Sequence, residues 1–158
     1  MPNFGLHEQW IETTPSGRVN PYWLYAALEN EVEHCFVLHG RLAKKQRTTV
    51  LAELEALDQS SPRVLLATGR LIGEGFDHPP LDTLVLAMPI SWKGTLQQYA
   101  GRLHRDHADK HDVRIYDYVE SDQPQLARMW DKRLRGYRAM GYLIRQLNAV
   151  TGEHYFIY

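Results

Sequence analysis

The sequence predicts an α/β fold, a three-layer αβα sandwich around a mostly parallel sheet. Three observations lead there. Short apolar runs alternate with helical patterns about five times along the chain. Two of the runs, "RVLLATG" from Arg63 and "TLVLAMP" from Thr83, are continuously apolar, as strands covered on both faces require. Strands that alternate with helices and cross over right-handedly form a parallel, doubly wound sheet.

Each element has its own signature. "QWIET" (Gln9–Thr13) is a strand candidate followed by the turn-rich "TPSGRVNP". A helix is expected from Tyr22, with Asn20 as N-cap and Pro21 at the first helical position. "CFVLHG" from Cys35 reads as a strand ended by Gly40. "KKQRTTVLAELEALDQ" follows as a helix, with Val50, Leu51, Leu54 and Leu57 at helical spacing. After the Arg63 strand comes the loop "RLIGEGFDHPPLD", then the Thr83 strand. "TLQQYAGRLHR" (Thr95–Arg105) is the next helix, where Thr95 and Gln98 have capping-box spacing. "VRIYDYVE" is a strand, and a last helix runs from about Gln123 with Leu126, Trp130, Leu134 and Tyr137 on one stripe. The tail "GEHYFIY" is expected to add an edge strand.

A chain of 158 residues fits one domain, here 1–158, with 121–158 as a helical C-terminal extension. Hydrophobic residues at 44% and charged residues at 23% suit an ordinary globular protein. The net charge of −1 excludes a global pull toward nucleic acid or membrane, but charge is unevenly spread. Residues 1–92 hold 7 Lys+Arg against 11 Asp+Glu, and residues 93–145 hold 11 against 7. An anionic ligand is therefore expected toward the second half. The single cysteine, Cys35, lies in an apolar run and reads as a small buried hydrophobe. With no secretory pattern at "MPNFGLHEQW" and no run of membrane-spanning length, a cytoplasmic location and no membrane partner are expected.

In doubly wound sheets, function gathers in the loops that leave the carboxyl ends of the strands. Two segments there carry chemistry. In "ATGRLIGEGFDHP", Gly73 and Gly75 let the backbone turn tightly, and Asp77 is placed to accept a hydrogen bond, for example from a ribose hydroxyl. A flexible loop with a locally capping aspartate would look the same. In "QQYAGRLHR", Gln98, Arg102 and Arg105 share a helical face at i, i+4 and i+7. Gly101 costs that helix about 1 kcal/mol relative to alanine, so a packing or functional reason is expected for it. Small volume beside two planar guanidinium forks suits the close approach of a polyanion, with a solvated basic face as the bland alternative.

"TGRLIGEGFD" resembles motif V of superfamily 2 (DEAD/DEAH-like) helicases, and "QYAGRLHR" matches their motif VI pattern Gln-x-x-Gly-Arg-x-x-Arg. "FVLHGRLAKKQR" resembles the segment before motif V, while "QWIETTPSGR" occupies the place of motif IV and departs from its pattern. The resemblance implies the C-terminal, second RecA-like domain of such a helicase. It implies Arg105 as the arginine finger on the γ-phosphate of ATP, with Arg102 beside it. It places Gln98, Gly75 and Asp77 around the nucleotide, and Thr68, Gly69 and Gly40 on the nucleic-acid backbone. The implied partners are a first RecA-like domain, in cis or in trans, and DNA or RNA. The implied cofactor, ATP with Mg²⁺, would be held only once that first domain is present. The chain contains no Gly-x-x-x-x-Gly-Lys-Ser/Thr phosphate loop and no Asp-Glu-x-His or Asp-Glu-x-Asp. It is not expected to hydrolyse ATP unaided. It would be a fragment, a subunit completed in trans, or a degenerate relative serving as a non-catalytic interaction module.

Three further features have two readings each. His104, His107 and His111 are spaced to bind zinc, but "DHADKHD" also reads as a polar loop, and no metal site is expected. Trp92 and Lys93 could stack a base and pair a phosphate, or Trp92 could pack on the next helix. "KRLRGYRAMGY" is read as an amphipathic helix with its arginines facing solvent.

Overall fold

A computed structural model describes residues 21–68, 76–88, 90, 94–107, 110–119, 122–147 and 154–157. The expected strand at Gln9 and the Asn20 cap lie outside these residues. The chain divides into two compact units. One comprises Met1–Leu81 with Asp106–His111, the other Asp82–Arg105 with Asp112–Tyr158.

The first unit contains α1 (Pro21–Leu28), β1 (Cys35–Leu38), α2 (Lys44–Ala56) and β2 (Val64–Ala67). β1 and β2 pair in parallel, from Cys35 opposite Val64 to Leu38 opposite Ala67, so α2 is the crossover of a βαβ unit. Leu38 and Leu54 are its buried apolar anchors. Leu54 is the most deeply buried member of the stripe predicted for α2. The helix opens where the Ala43 N–H donates to Gln46 Oε1 at 3.1 Å, the back-reaching half of a capping box.

Beyond α2 the chain is tied by one arginine. Arg63 donates from Nε to the Ser61 carbonyl at 3.0 Å and from Nη2 to the Asp58 carbonyl. Its Nη1 lies 3.0 Å from Nε2 of His78. A guanidinium only donates, so His78 must accept through Nε2 and carry its proton on Nδ1. Burial first, and the neighbouring Arg63 charge second, hold the His78 pKa below its usual 6.5.

The second unit contains β3 (Thr83–Leu86), α3 (Thr95–Leu103), β4 (Arg114–Asp117), α4 (Pro124–Ala139), β5 (Ile144–Leu147) and β6 (His154–Ile157). β3 and β4 pair in parallel, with Leu84 opposite Ile115. β5 and β6 form an antiparallel pair, so the expected terminal strand is present. Leu86, Leu96 and Tyr137 make the core, and Leu84, Ile90, Ile115, Trp130, Met140, Tyr142 and Ile144 pack around it.

Here one expectation is corrected. β3 does not read as a strand covered on both faces: Thr83 and Val85 are exposed while Leu86 is buried. Val85 and its β4 partner Tyr116 are each 54% exposed. The reason is that α3 and α4 supply their core residues to the same face of the pair, the one carrying Leu84, Leu86 and Ile115. The opposite face receives no such cover from this unit's core.

α4 also departs from a simple solvent-facing basic helix. Arg135 and Arg138 are exposed as expected, but Arg133 is 1% exposed. Its Nε and Nη2 bind both carboxylate oxygens of Asp117 at 2.7 and 2.9 Å, and its Nη1 donates to the Ile90 carbonyl at 2.8 Å. The Tyr137 hydroxyl donates to Asp117 at 2.8 Å. Every charge taken from water is thus matched by directed bonds, which buried ions require. Burial and then the Asp117 charge push the Tyr137 pKa far up, which keeps the hydroxyl a donor.

The end of α4 is set by Gly141, whose φ is +81°. The Tyr142 N–H reaches the Tyr137 carbonyl and the Gly141 N–H reaches the Arg138 carbonyl, both bonds of a Schellman stop. The Tyr137 and Tyr142 rings meet edge to face, 6.0 Å apart. That is the apolar contact such a stop usually carries.

Candidate functional site

The predicted site residues divide between the units. Gly40, Thr68 and Asp77 belong to the first; Gln98, Arg102 and Arg105 belong to the second. Gly69, Gly75, Trp92 and Lys93 lie outside the described residues.

In the first unit the parallel pairing brings Gly40 and Thr68 to one place. Leu38 is opposite Ala67, and the Thr68 N–H donates to the Leu38 carbonyl at 3.1 Å. Both residues therefore follow the carboxyl ends of neighbouring strands, where loop chemistry gathers. Gly40 is exposed, and an added Cβ would meet no atom within 4 Å. Just before Gly40, His39 accepts from the Arg41 N–H through Nδ1 at 3.2 Å and pairs with the Tyr22 hydroxyl through Nε2 at 3.0 Å. Asp77 is exposed, between Phe76 and the buried His78 whose ring stacks on Phe76 at 6.4 Å.

In the second unit the decisive element is α3. Its inner side is formed by Leu96, Tyr99, Ala100 and Leu103, each at most 5% exposed. Gln98, Gly101 and Arg105 are exposed and Arg102 is half-buried. At Gly101 a Cβ would meet nothing within 4 Å, so no contact among the described residues requires glycine there. The glycine lowers helix stability without a packing return inside its own unit.

Two details differ from the sequence expectation. The N-cap is Gly94, at φ +72°, and not Thr95, which already begins the helix and so does not hold the N-cap position of a capping box. The helix also ends at Leu103, so Arg105 lies beyond it rather than on the face shared by Gln98 and Arg102. The cause is local. The His104 N–H donates to the Ala100 carbonyl, and the Arg105 N–H turns back to Arg102 at 3.3 Å, an i to i−3 bond that tightens the last turn. His104 itself is held by the Tyr142 hydroxyl, 2.8 Å from its Nε2.

Sequence reasoning missed the polar residues that hold these segments: Arg63 with His78, Asp117 with Arg133 and Tyr137, and His104 with Tyr142. The available signal was a lone aspartate ending the apolar "RIYD" and an Arg–Tyr pair four apart on α4. Among the described residues no three His, Cys, Asp or Glu side chains gather as a metal site. No described helix is long and apolar enough to cross a membrane.

Residues 18–107 match the helicase conserved C-terminal domain. The chain belongs to that family. This helicase C-terminal domain is 36% identical over 105 residues to uncharacterized protein 108L of Invertebrate iridescent virus 3. The aligned part is 65% of the present chain and 94% of the viral protein. It is also similar in fold to the C-terminal part of the Fun30 ATPase domain, at a TM-score of 0.54 and 17% identity. That match covers 68% of this helicase C-terminal domain but only 35% of the solved chain. The α/β class and the kinship with helicase-related motor domains are thus established. The family match ends at residue 107, so β4, α4 and the β5–β6 pair lie beyond it.

Proposed function

We propose that residues 1–158 act as the second motor domain of an ATP-dependent nucleic-acid helicase or translocase. The carrying observation is the two-sidedness of α3: an apolar inner side, and an outer side presenting Gln98, an unfilled Gly101 and the neighbouring arginines. In this reading ATP and Mg²⁺ are held by a first RecA-like domain, in cis or in trans. Arg105 reaches the γ-phosphate, Arg102 lies beside it, and Gln98 orients the nucleotide with Gly75 and Asp77. A guanidinium there stabilises charge that builds on the transferred phosphoryl group, and removing such a finger lowers turnover by about 10³–10⁵. Gly101 leaves room for the opposing surface. Arg105 stands on a non-helical turn, which lets its side chain leave α3 at an angle that a helical position would not offer.

Gly40, Thr68, Gly69 and Lys93 contact the DNA or RNA backbone. Exposed Gly40 beyond β1 and partly exposed Thr68 beyond β2 support this, because small residues and a hydroxyl suit phosphate contacts that carry no sequence information.

The test is ATP hydrolysis by the full chain mixed with a first RecA-like domain that carries a phosphate loop, with and without single-stranded nucleic acid. Nucleic-acid-stimulated turnover should fall by about 10³ or more with Arg105→Ala. Unchanged turnover would remove the finger assignment. Stable binding of the partner domain with no turnover at all would favour the non-catalytic interaction module instead.

A further inference from the structure

We propose that the segment beyond the family match, through Tyr142, is what sets the position of the motif VI arginines. Tyr142 is a positioning residue in this proposal, which rests on the finger reading for its catalytic consequence but not for its structural one.

The geometry runs from the end of α4 to the end of α3. The Schellman stop fixes the backbone at Gly141 and Tyr142 by one hydrogen bond each. The ring is then wedged between Tyr137, at 6.0 Å, and His104, at 5.5 Å, edge to face with both. Its hydroxyl meets His104 Nε2 at 2.8 Å. His104 is the C-cap of α3 and immediately precedes Arg105. Helix ends fray because their last carbonyls lack intrahelical partners. At this end the amide bonds from His104 to Ala100 and from Arg105 to Arg102 are both 3.3 Å, just beyond the usual range. A side-chain tether on His104 therefore matters more at this point than it would in mid-helix.

A second tie acts on the approach to α3. Arg133 donates to the Ile90 carbonyl while gripping Asp117 at the end of β4. Leu96, in the first turn of α3, joins Tyr137 in the core. The same helix, α4, thus supplies the ring that backs the start of α3 and the stop that aims Tyr142 at its end. Tyr142 lies 35 residues beyond the last matched position, residue 107, so the family pattern alone does not contain it.

Tyr142→Phe keeps the ring contacts and removes only the hydroxyl. In the full chain, amide hydrogen exchange at His104 and Arg105 should speed up about fivefold to tenfold, the loss expected for one neutral hydrogen bond, while Gly136–Met140 keep their protection. Unchanged exchange at His104 and Arg105, or equal acceleration throughout the second unit, would overturn the proposal. In the assay with a first RecA-like domain, Tyr142→Phe should lower kcat by about threefold to tenfold and leave the KM for ATP unchanged. The His104→Phe, Tyr142→Phe double variant should be no slower than the worse single variant, because both act through one bond. Additive losses would overturn it too. If Arg105→Ala is silent in that assay, the finger reading fails, and the exchange result alone decides whether Tyr142 holds the helix end.

Discussion

The described residues contain two βαβ units, β1–α2–β2 and β3–α3–β4, and they hold their crossover helices very differently. α2 spans thirteen residues and buries only Leu54, whereas α3 spans nine and includes four residues at most 5% exposed. The polar ties differ in the same sense. Arg63 in the first unit ends on two carbonyls and a neutral imidazole, at partly exposed bonds. Arg133 in the second grips a carboxylate with two nitrogens, and both side chains of that ion pair are at most 8% exposed. A helix meant to carry a group to a reacting phosphate must be held within fractions of an ångström, because misplacement lowers rate steeply. The denser anchoring of α3 is what the proposed finger role would need. α2 presents Lys44, Lys45 and Gln46 from a looser support.

The largest expected effect breaks the stronger of the two anchors. Arg133→Ala leaves Asp117 buried with Tyr137 as its remaining donor, and should destabilise the chain by about 3–5 kcal/mol in urea unfolding. A loss below 1 kcal/mol would mean that the buried network does not anchor the second unit.

Two glycines of the second unit should respond in opposite directions. Gly141→Ala forces a side chain into the left-handed region and should lower stability by about 1–2 kcal/mol. Gly101→Ala fills open space on a helix and should raise it by about 0.5–1 kcal/mol. If a motor partner closes on α3, the same Gly101→Ala should nonetheless lower the reconstituted ATPase. A gain in stability with full activity would show that nothing approaches Gly101.

The looser tie of the first unit should reveal itself through pH. His78 has a lower pKa folded than unfolded, so the unfolded chain takes up the proton first on acidification. Its contribution is intact above pH 6.5 and is lost as pH falls through that value toward the folded pKa. An NMR titration should place the His78 midpoint below 6.5, and His78→Gln should flatten the acid-side fall in urea midpoint. A midpoint above 6.5 would contradict the bond from Arg63.

The smallest effect is expected at Arg114, whose ion pair with Asp112 is short, at 2.7 Å, but more than half exposed on both sides. Arg114→Ala should leave the thermal midpoint within replicate error, because solvent screens such pairs and side-chain ordering offsets their attraction. A clear drop would mean that this pair supports β4 as Arg133 does.

What the sequence determined by itself was local and periodic. The alternation of elements, the stripe on α2, the strand at the tail, the Gly-Arg spacing of motif VI and the family it belongs to were all legible there. These rest on neighbours within about four residues or on motif spacing, both of which a linear string displays. The two expectations that failed at α3 were also local, but they turned on single hydrogen bonds. Gly94 took the cap from Thr95, and an i to i−3 bond ended the helix before Arg105.

What only the tertiary structure decided was long-range. Arg63 meets His78 across 15 residues, Arg133 meets Asp117 across 16, and His104 meets Tyr142 across 38. Composition marks each of these as an ordinary surface residue. Packing makes Arg133 otherwise: once a guanidinium is carried out of water, it must find a partner wherever the fold brings one. The exposure of Val85 and Tyr116 has the same origin, since both helices of this unit supply their core residues to the other side of the strand pair.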